Sequence, residues 1–284
     1  MPQKGGFIKN VKRAVGIGCQ SLQVFVGNPT GWTPPKLDPA ELRKRGEQVQ
    51  EEGIRPLIVH AAYLINLAAI KEEFHQKSIH LLLETAYRAE YLQARYVVMH
   101  VGSHGGRGFT PGIDFFIKTL DQVLHRWPEQ VELLLENTAG GGTSLGGTFI
   151  SIGNILNKLE AKTSVGVCLD TAHAWAAGYD WTTEEGFQKT MEEIEQYIGM
   201  EKVKTIHAND SGTPRGSHRD RHAHIGDGYI GDHGFRQFFR WKWPQDLPVI
   251  LETPEMGSHW DAINLGRLRY YSGLISEPPE TPEK

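Results

Sequence analysis

The chain has 284 residues, of which 39% are hydrophobic and 23% charged, and it carries a formal net charge of −4. That length accommodates one large α/β domain of about 250 residues as readily as two smaller ones. No apolar run approaches the roughly 20 residues of a membrane span, and the basic opening MPQKGGFIKNVKRAV lacks the apolar stretch of a secretory signal. Cys19 and Cys168 are far apart in sequence and read as free thiols in a reducing compartment. The 13 histidines stand out, because neutral imidazole is the commonest metal ligand near pH 7.

In chain order, short apolar runs alternate with longer amphipathic ones. A helix begins near Gly6 and is followed by the strand LQVFV (22–26). A helix from Asp38 to Glu52, with Asp38 as N-cap, leads to PLIVH (56–60). The helix Lys71 to Leu92 precedes RYVVMH (95–100), and Gly112 to Trp127 precedes VELLLE (131–136). Ile150 to Glu160 comes before VGVCLD (165–170), and Thr183 to Ile198, capped by Thr183, comes before VKTIH (203–207). The last strand is PVILE (248–252), and from about Ser276 the polar, proline-rich SEPPETPEK predicts a disordered tail (276–284) after a single domain over 1–275. Strand–helix alternation of this kind implies a parallel sheet covered on both faces, closed or doubly wound. A closed barrel needs eight strands and seven are visible. The eighth should precede the helix near Gly6, where only Met1 to Gly5 stands. Either the first strand is short or replaced, or the barrel closes imperfectly.

Six of the seven strands end on a residue able to bind a metal: His60, His100, Glu136, Asp170, His207 and Glu252. Parallel barrel strands direct their C-terminal ends to one face, and that face carries the active site. One polar residue after a strand is unremarkable, since a carboxylate there often caps a helix; six of ligand type form a pattern. In DTAH, Asp170 and His173 are three apart at the entry of a helical turn. In HRDRHAH, Asp220 and His222 alternate and share a side if the segment is extended. Nitrogen and carboxylate ligands suit zinc, and also manganese or iron. The set is too large for one tetrahedral ion and about right for three sharing a bridging carboxylate. Clustered metals point to phosphoryl chemistry, and three divalent cations would offset the acidic net charge where a phosphate must sit.

With these residues in place, the sequence resembles the endonuclease IV family of apurinic/apyrimidinic endonucleases from Gly5 to about Tyr271. The stretches that carry the likeness are HAAYLINLA (60–68), HVGSH (100–104), ENTAGGGTSLG (136–146), GVCLDTAHAWAAGYD (166–180), IHANDS (206–211), DRHAHIGDGYIG (220–231) and ILETP (250–254). The resemblance implies a TIM-type (β/α)8 barrel with a trinuclear zinc site. One zinc would use His60, His100 and Glu136; a second would share Glu136 and add Asp170, His207 and Glu252; the third would take His173, Asp220 and His222. It implies hydrolysis of the phosphodiester 5′ to an abasic site, leaving a 3′-hydroxyl, and trimming of blocked 3′ ends. A bridging hydroxide would attack in line, with Glu252 orienting it or accepting its proton and the zinc of the His173 site holding a phosphate oxygen. The partner is damaged double-stranded DNA, met by a monomer in a bacterial-type cytoplasm beside the nucleoid, with no membrane involved. Tyr63 and Leu64 match the family's minor-groove wedge, and Asn28, Thr30 and Arg221 are expected against the DNA. One departure falls in NPTGW (28–32): Thr30 stands where family members commonly carry an arginine that penetrates the duplex. Weaker gap-filling, with more tolerance of single-stranded or end substrates, is the expected consequence. The competing expectations are a xylose-isomerase-like sugar isomerase or epimerase and a weakly active DNA-end-binding relic.

Overall fold

The computed structural model describes residues 6–33, 36, 38–160, 165–244 and 246–280. Each apolar run expected as a strand forms one, usually a residue or two shorter than the run. These are β1 (Leu22–Val24), β2 (Leu57–His60), β3 (Tyr96–His100), β4 (Glu132–Glu136), β5 (Val165–Asp170) and β6 (Val203–His207). Two short strands, β7 (Asp210–Ser211) and β8 (His222–Ala223), pair antiparallel within the loop after β6, and β9 (Val249–Ile250) completes the main sheet. The helices are α1 (Phe7–Gly16), α2 (Pro39–Glu51), α3 (Glu72–Tyr91), α4 (Phe109–Leu124), α5 (Phe149–Lys158), α6 (Thr171–Ala177), α7 (Glu184–Tyr197), α8 (Gly231–Arg240) and α9 (Trp260–Tyr271).

Local chemistry accounts for most boundaries. Asp38 accepts from the Ala40 N–H at the start of α2, and Thr183 accepts from Gly186 N–H at the start of α7, each satisfying a donor the helix leaves free. α4 begins three residues before the expected Gly112, because Pro111 lies in its first turn, where the missing N–H has no intrahelical partner to lose. α8 and α9 add to the expected elements; each buries a short stripe, Phe235 with Phe238 and Ile263 with Leu268, inside otherwise polar sequence.

The main sheet is parallel, in the order β1-β2-β3-β4-β5-β6-β9. Alternation along each strand sorts the side chains into two sets. Ile58, Tyr96, Val98, Leu134, Cys168 and Ile250 meet one another inside the curled sheet. Their sequence neighbours, such as Val59, Val97, Met99, Leu133 and Leu135, face outward into the larger layer shared with the helices. The result is a TIM-type barrel that is nearly closed, with seven strands among the described residues. β1 and β9 are its edges, and a cleft of about 1490 Å³ lies along them, lined by Leu22, Gln23, Trp241, Trp243, Ile250 and Leu251 among others. The additional strand expected before α1 would fall on residues 1–5, outside the described residues. Most of the tail expected to be disordered is described as far as residue 280, where the Pro279 ring lies so close over Gly266 that a β-carbon there would come within 3.0 Å of it.

Candidate metal centre

The inward register that fills the barrel with Ile58, Val98, Leu134 and Cys168 continues two residues further along each strand to His60, His100, Glu136 and Asp170. Backbone pairing sets His100 beside Glu136 and Asp170 beside His207, and His207 beside Ile250, two residues before Glu252. Six strand-end side chains thus converge on one bowl. Asp170 also caps α6 by accepting from His173 N–H at 2.6 Å, which turns the His173 ring into the same bowl. The β7–β8 hairpin delivers Asp220 and His222 from the other side.

Glu136 lies at the middle and is fully buried. One carboxylate oxygen is 3.1 Å from both His60 Nε2 and His100 Nε2; the other is 2.9 Å from His207 Nδ1 and 3.4 Å from His173 Nδ1. Glu252 Oε2 stands 3.3 Å from His207 Nδ1. Asp220 bridges two rings, with Oδ2 3.2 Å from His173 Nε2 and Oδ1 3.2 Å from His222 Nε2. Ligand-type atoms within 4.8 Å of one another fall into the groups His60–His100–Glu136, Glu136–Asp170–His207–Glu252 and Asp170–His173–His222. A further group joins Cys168 to Glu136 and His207, and burial pushes that thiol up to about 12.

Hydrogen bonds outside the bowl assign which nitrogen each ring offers. Nδ1 of His60 donates to Ala61 C=O, that of His173 to Asn137 C=O, and that of His222 to Glu252 C=O, leaving Nε2 of each ring facing inward. Nε2 of His222 is buried and faces Asp220 Oδ1 at 3.2 Å, without a hydrogen bond of good geometry among the described residues. The sequence pattern missed the residues that hold this arrangement. Asn137 exchanges two hydrogen bonds with the Asp170 backbone, and Asn209 donates to Asp170 Oδ2 while accepting from Glu252 N–H. Asp210 collects backbone N–H groups from Ser211, Gly226, Gly228, Ile230 and Gly231, pinning the long loop; a β-carbon on Gly228 would collide with its carboxylate. The available signals were ENT and HAND, polar residues within three positions of a ligand-type one.

The cluster's charges support one another. Burial opposes ionisation of Glu136, yet His207 and His100 hold its carboxyl well below the usual range. Burial likewise opposes the charge on Glu252, and His207 overrides it, bringing the pKa down to about 2. For His173, burial disfavours the cation, but Asp170, Asp220 and Glu136 raise its pKa well above the ordinary value. His222 reaches about 9 against the cost of burial, through Asp220 and Asp170. A site that draws protons this strongly is built to attract cations, and a metal would compete for the same lone pairs.

The expected DNA-facing residues sit around the rim. Tyr63 is 53% exposed, edge-on to Phe25 and within 6 Å of the rings of His60 and His100. Leu64 beside it is half-buried, and the Tyr63 backbone N–H donates to Pro29 C=O, tying this pair to the NPTGW loop. In that loop Asn28 Oδ1 accepts from both the backbone N–H and the hydroxyl of Thr30, so Thr30 is turned back on its own loop. Arg221 is exposed and donates to the Asp220 C=O.

A family model described as "Xylose isomerase-like TIM barrel" matches residues 11–269. A relative in Natranaerobius thermophilus named "Probable endonuclease 4" is 42% identical over 277 residues, covering 98% of each chain. One of the same name in Aquifex aeolicus is 38% identical over 93% of each chain. Among solved structures, endonuclease IV from Thermus thermophilus superposes with a TM-score of 0.81 at 34% identity, over 96% of both chains. A D-tagatose 3-epimerase-like protein superposes with a TM-score of 0.71 over 93% of this chain and 92% of its own, at 17% identity, a likeness of fold alone.

Proposed function

The chain belongs to the endonuclease IV family, and from that premise we propose that it is a metal-dependent phosphodiesterase that incises DNA 5′ to abasic sites and trims blocked 3′ ends. The observation that carries this is the third ligand group. His173 and His222 with Asp220 between them extend the bowl beyond the one or two ions a sugar epimerase on the same scaffold needs. The donor set suits three zinc ions, with manganese or iron as substitutes. His60, His100 and Glu136 would hold one; Glu136, Asp170, His207 and Glu252 a second; His173, Asp220 and His222 the third. The inward-facing Nε2 atoms of His60, His173 and His222 fit that assignment.

When bound, such ions activate water and neutralise charge on the phosphate and the departing alkoxide. The chain's own residues do the rest. Glu252, ionised down to about pH 2, is an acceptor at every working pH and orients the attacking water or takes its proton. Glu136 fixes the spacing of the ligand groups on either side of it. Tyr63 and Leu64 fill the space of the extruded residue, a step that costs unstacking and is easiest where no base is stacked. Burial, with Glu252 and Glu136 nearby, raises the Tyr63 pKa to about 12, so it stays a neutral phenol against the DNA. Asn28, Thr30 and Arg221 line the approach of the backbone phosphates. The partner is damaged duplex DNA bound by a monomer in the cytoplasm; among the described residues no helix is long and apolar enough to cross a membrane.

The test is a duplex carrying one tetrahydrofuran abasic analogue, incubated with zinc-loaded protein without added magnesium. Incision on the 5′ side leaving a 3′-hydroxyl is expected, since the analogue is closed to β-elimination. Intact duplex from folded, zinc-replete protein would overturn the proposal. Epimerisation of a free ketohexose by the same sample would move the assignment to the sugar enzymes.

A further inference from the structure

Gln23 lies on β1, at the open edge of the barrel, and is the β1 side chain that enters the bowl. Its register is set by pairing with Ile58, and its amide is buried. One end of that amide is 2.7 Å from Glu252 Oε1, the other 2.8 Å from His207 Nε2. An ionised carboxylate only accepts, so the end facing Glu252 is the NH2. The end facing His207 is then the carbonyl oxygen, which only accepts, so His207 Nε2 must carry a proton. The remaining nitrogen, Nδ1, is the one that faces Glu136 at 2.9 Å and Glu252 at 3.3 Å. His207 is thereby reversed with respect to His60, His173 and His222, which present Nε2.

We infer that Gln23 is a positioning residue that selects the tautomer of His207 and the rotamer of Glu252 with one side chain. This rests on the metal reading of the bowl. Through Glu252, the least buried of the strand-end carboxylates, it also steadies the group proposed to handle the proton. Outer hydrogen bonds of this kind change metal affinity by about 10- to 100-fold when removed. Gln23→Leu deletes both hydrogen bonds at similar volume. Gln23→Glu keeps the acceptor for His207 and replaces the donor to Glu252 by a like charge.

The first readout is the His207 Nε2–H resonance in 15N-histidine-labelled protein, followed without metal and again with zinc. In the native chain it is expected to be protected from exchange in both states. Protection should be lost in Gln23→Leu and kept in Gln23→Glu. The second readout is a zinc titration against a competing chelator. About a 10- to 100-fold loss is expected for one class of ion in both variants, with the remaining ions bound as before. An unprotected Nε2–H in the native protein, or a Gln23→Leu variant with native zinc affinity, would overturn the inference. A native protein that protects this proton but takes up no zinc would leave the tautomer assignment standing and remove the metal reading instead.

Discussion

Strands β3 to β6 run five or six residues each and are paired on both sides, whereas β1 and β9 run three and two and, among the described residues, are paired on one side only. The acidic ligand-type residues and His207 follow this division, whereas His100, at the end of β3, is 28% exposed at its side chain. Glu136, Asp170 and His207, at the ends of the doubly paired strands, are wholly buried and their positions are dictated by the ladder. Glu252 follows the short edge strand, and Asp220, on the loop, is 54% exposed at its side chain. The paired wall therefore holds its groups by backbone register. The open side holds them by side chains: Gln23 on Glu252, Asn209 on the Glu252 backbone, and Asp210 on the loop that follows His222.

This contrast can be broken most severely at its centre. Glu136→Gln removes the charge that every ligand group on the paired wall shares, and incision of the abasic duplex should fall by about 10³-fold or more, about 4 kcal/mol of transition-state stabilisation. Asp220→Asn, on the exposed loop, should cost less than Glu136→Gln, because that side chain is already 54% exposed. Single-turnover rates with zinc content measured in parallel would decide, and equal losses would erase the distinction. Stability should divide in the same way. Leu134→Ala, in the fully paired β4, should cost about 2–5 kcal/mol by denaturant unfolding. Ile250→Ala, on the edge strand beside the cleft, should fall at or below the low end of that range, because solvent already reaches its surroundings.

A smaller effect is expected from pH in the metal-free protein. His222, raised from 6.5 to about 9 when folded, contributes stability that is complete below pH 6.5 and lost as pH rises through about 9. Glu252, lowered from 4.5 to about 2, contributes stability present above pH 4.5 and lost as pH falls through about 2. Melting temperature without metal should therefore decline from about pH 6.5 to about pH 9. Zinc affinity should rise over the same interval as protons cease to compete. A melting temperature that climbs alongside affinity would mean that His222 is not charged in the empty cluster. The smallest effect should come from Thr30→Arg. Freed from the Asn28 turn, an arginine at this rim position should tighten binding to an abasic duplex by a few-fold, and unchanged affinity would show that the loop does not reach the DNA.

The amino-acid sequence by itself determined the seven strands of the main sheet, most of the helices and the positions of all nine ligand-type residues. Strand runs are continuous and apolar, and a His, Asp or Glu directly after such a run is local information. The seven apolar runs were legible too, and they match the seven strands of the main sheet among the described residues. What it left unread depends on contacts between residues far apart in the chain. Gln23 looks like one polar residue inside LQVFV until β1 and β9 are placed as the two edges of one sheet, 229 residues apart in sequence at the Gln23–Glu252 hydrogen bond. Asn137, Asn209 and Asp210 are ordinary loop residues until the barrel curls and their amides and carboxylates meet the ligands. Which nitrogen His173, His207 and His222 offer was likewise a tertiary decision, because the partner that fixes each ring's proton lies on another strand or loop, and only closure of the sheet brings it within hydrogen-bonding distance.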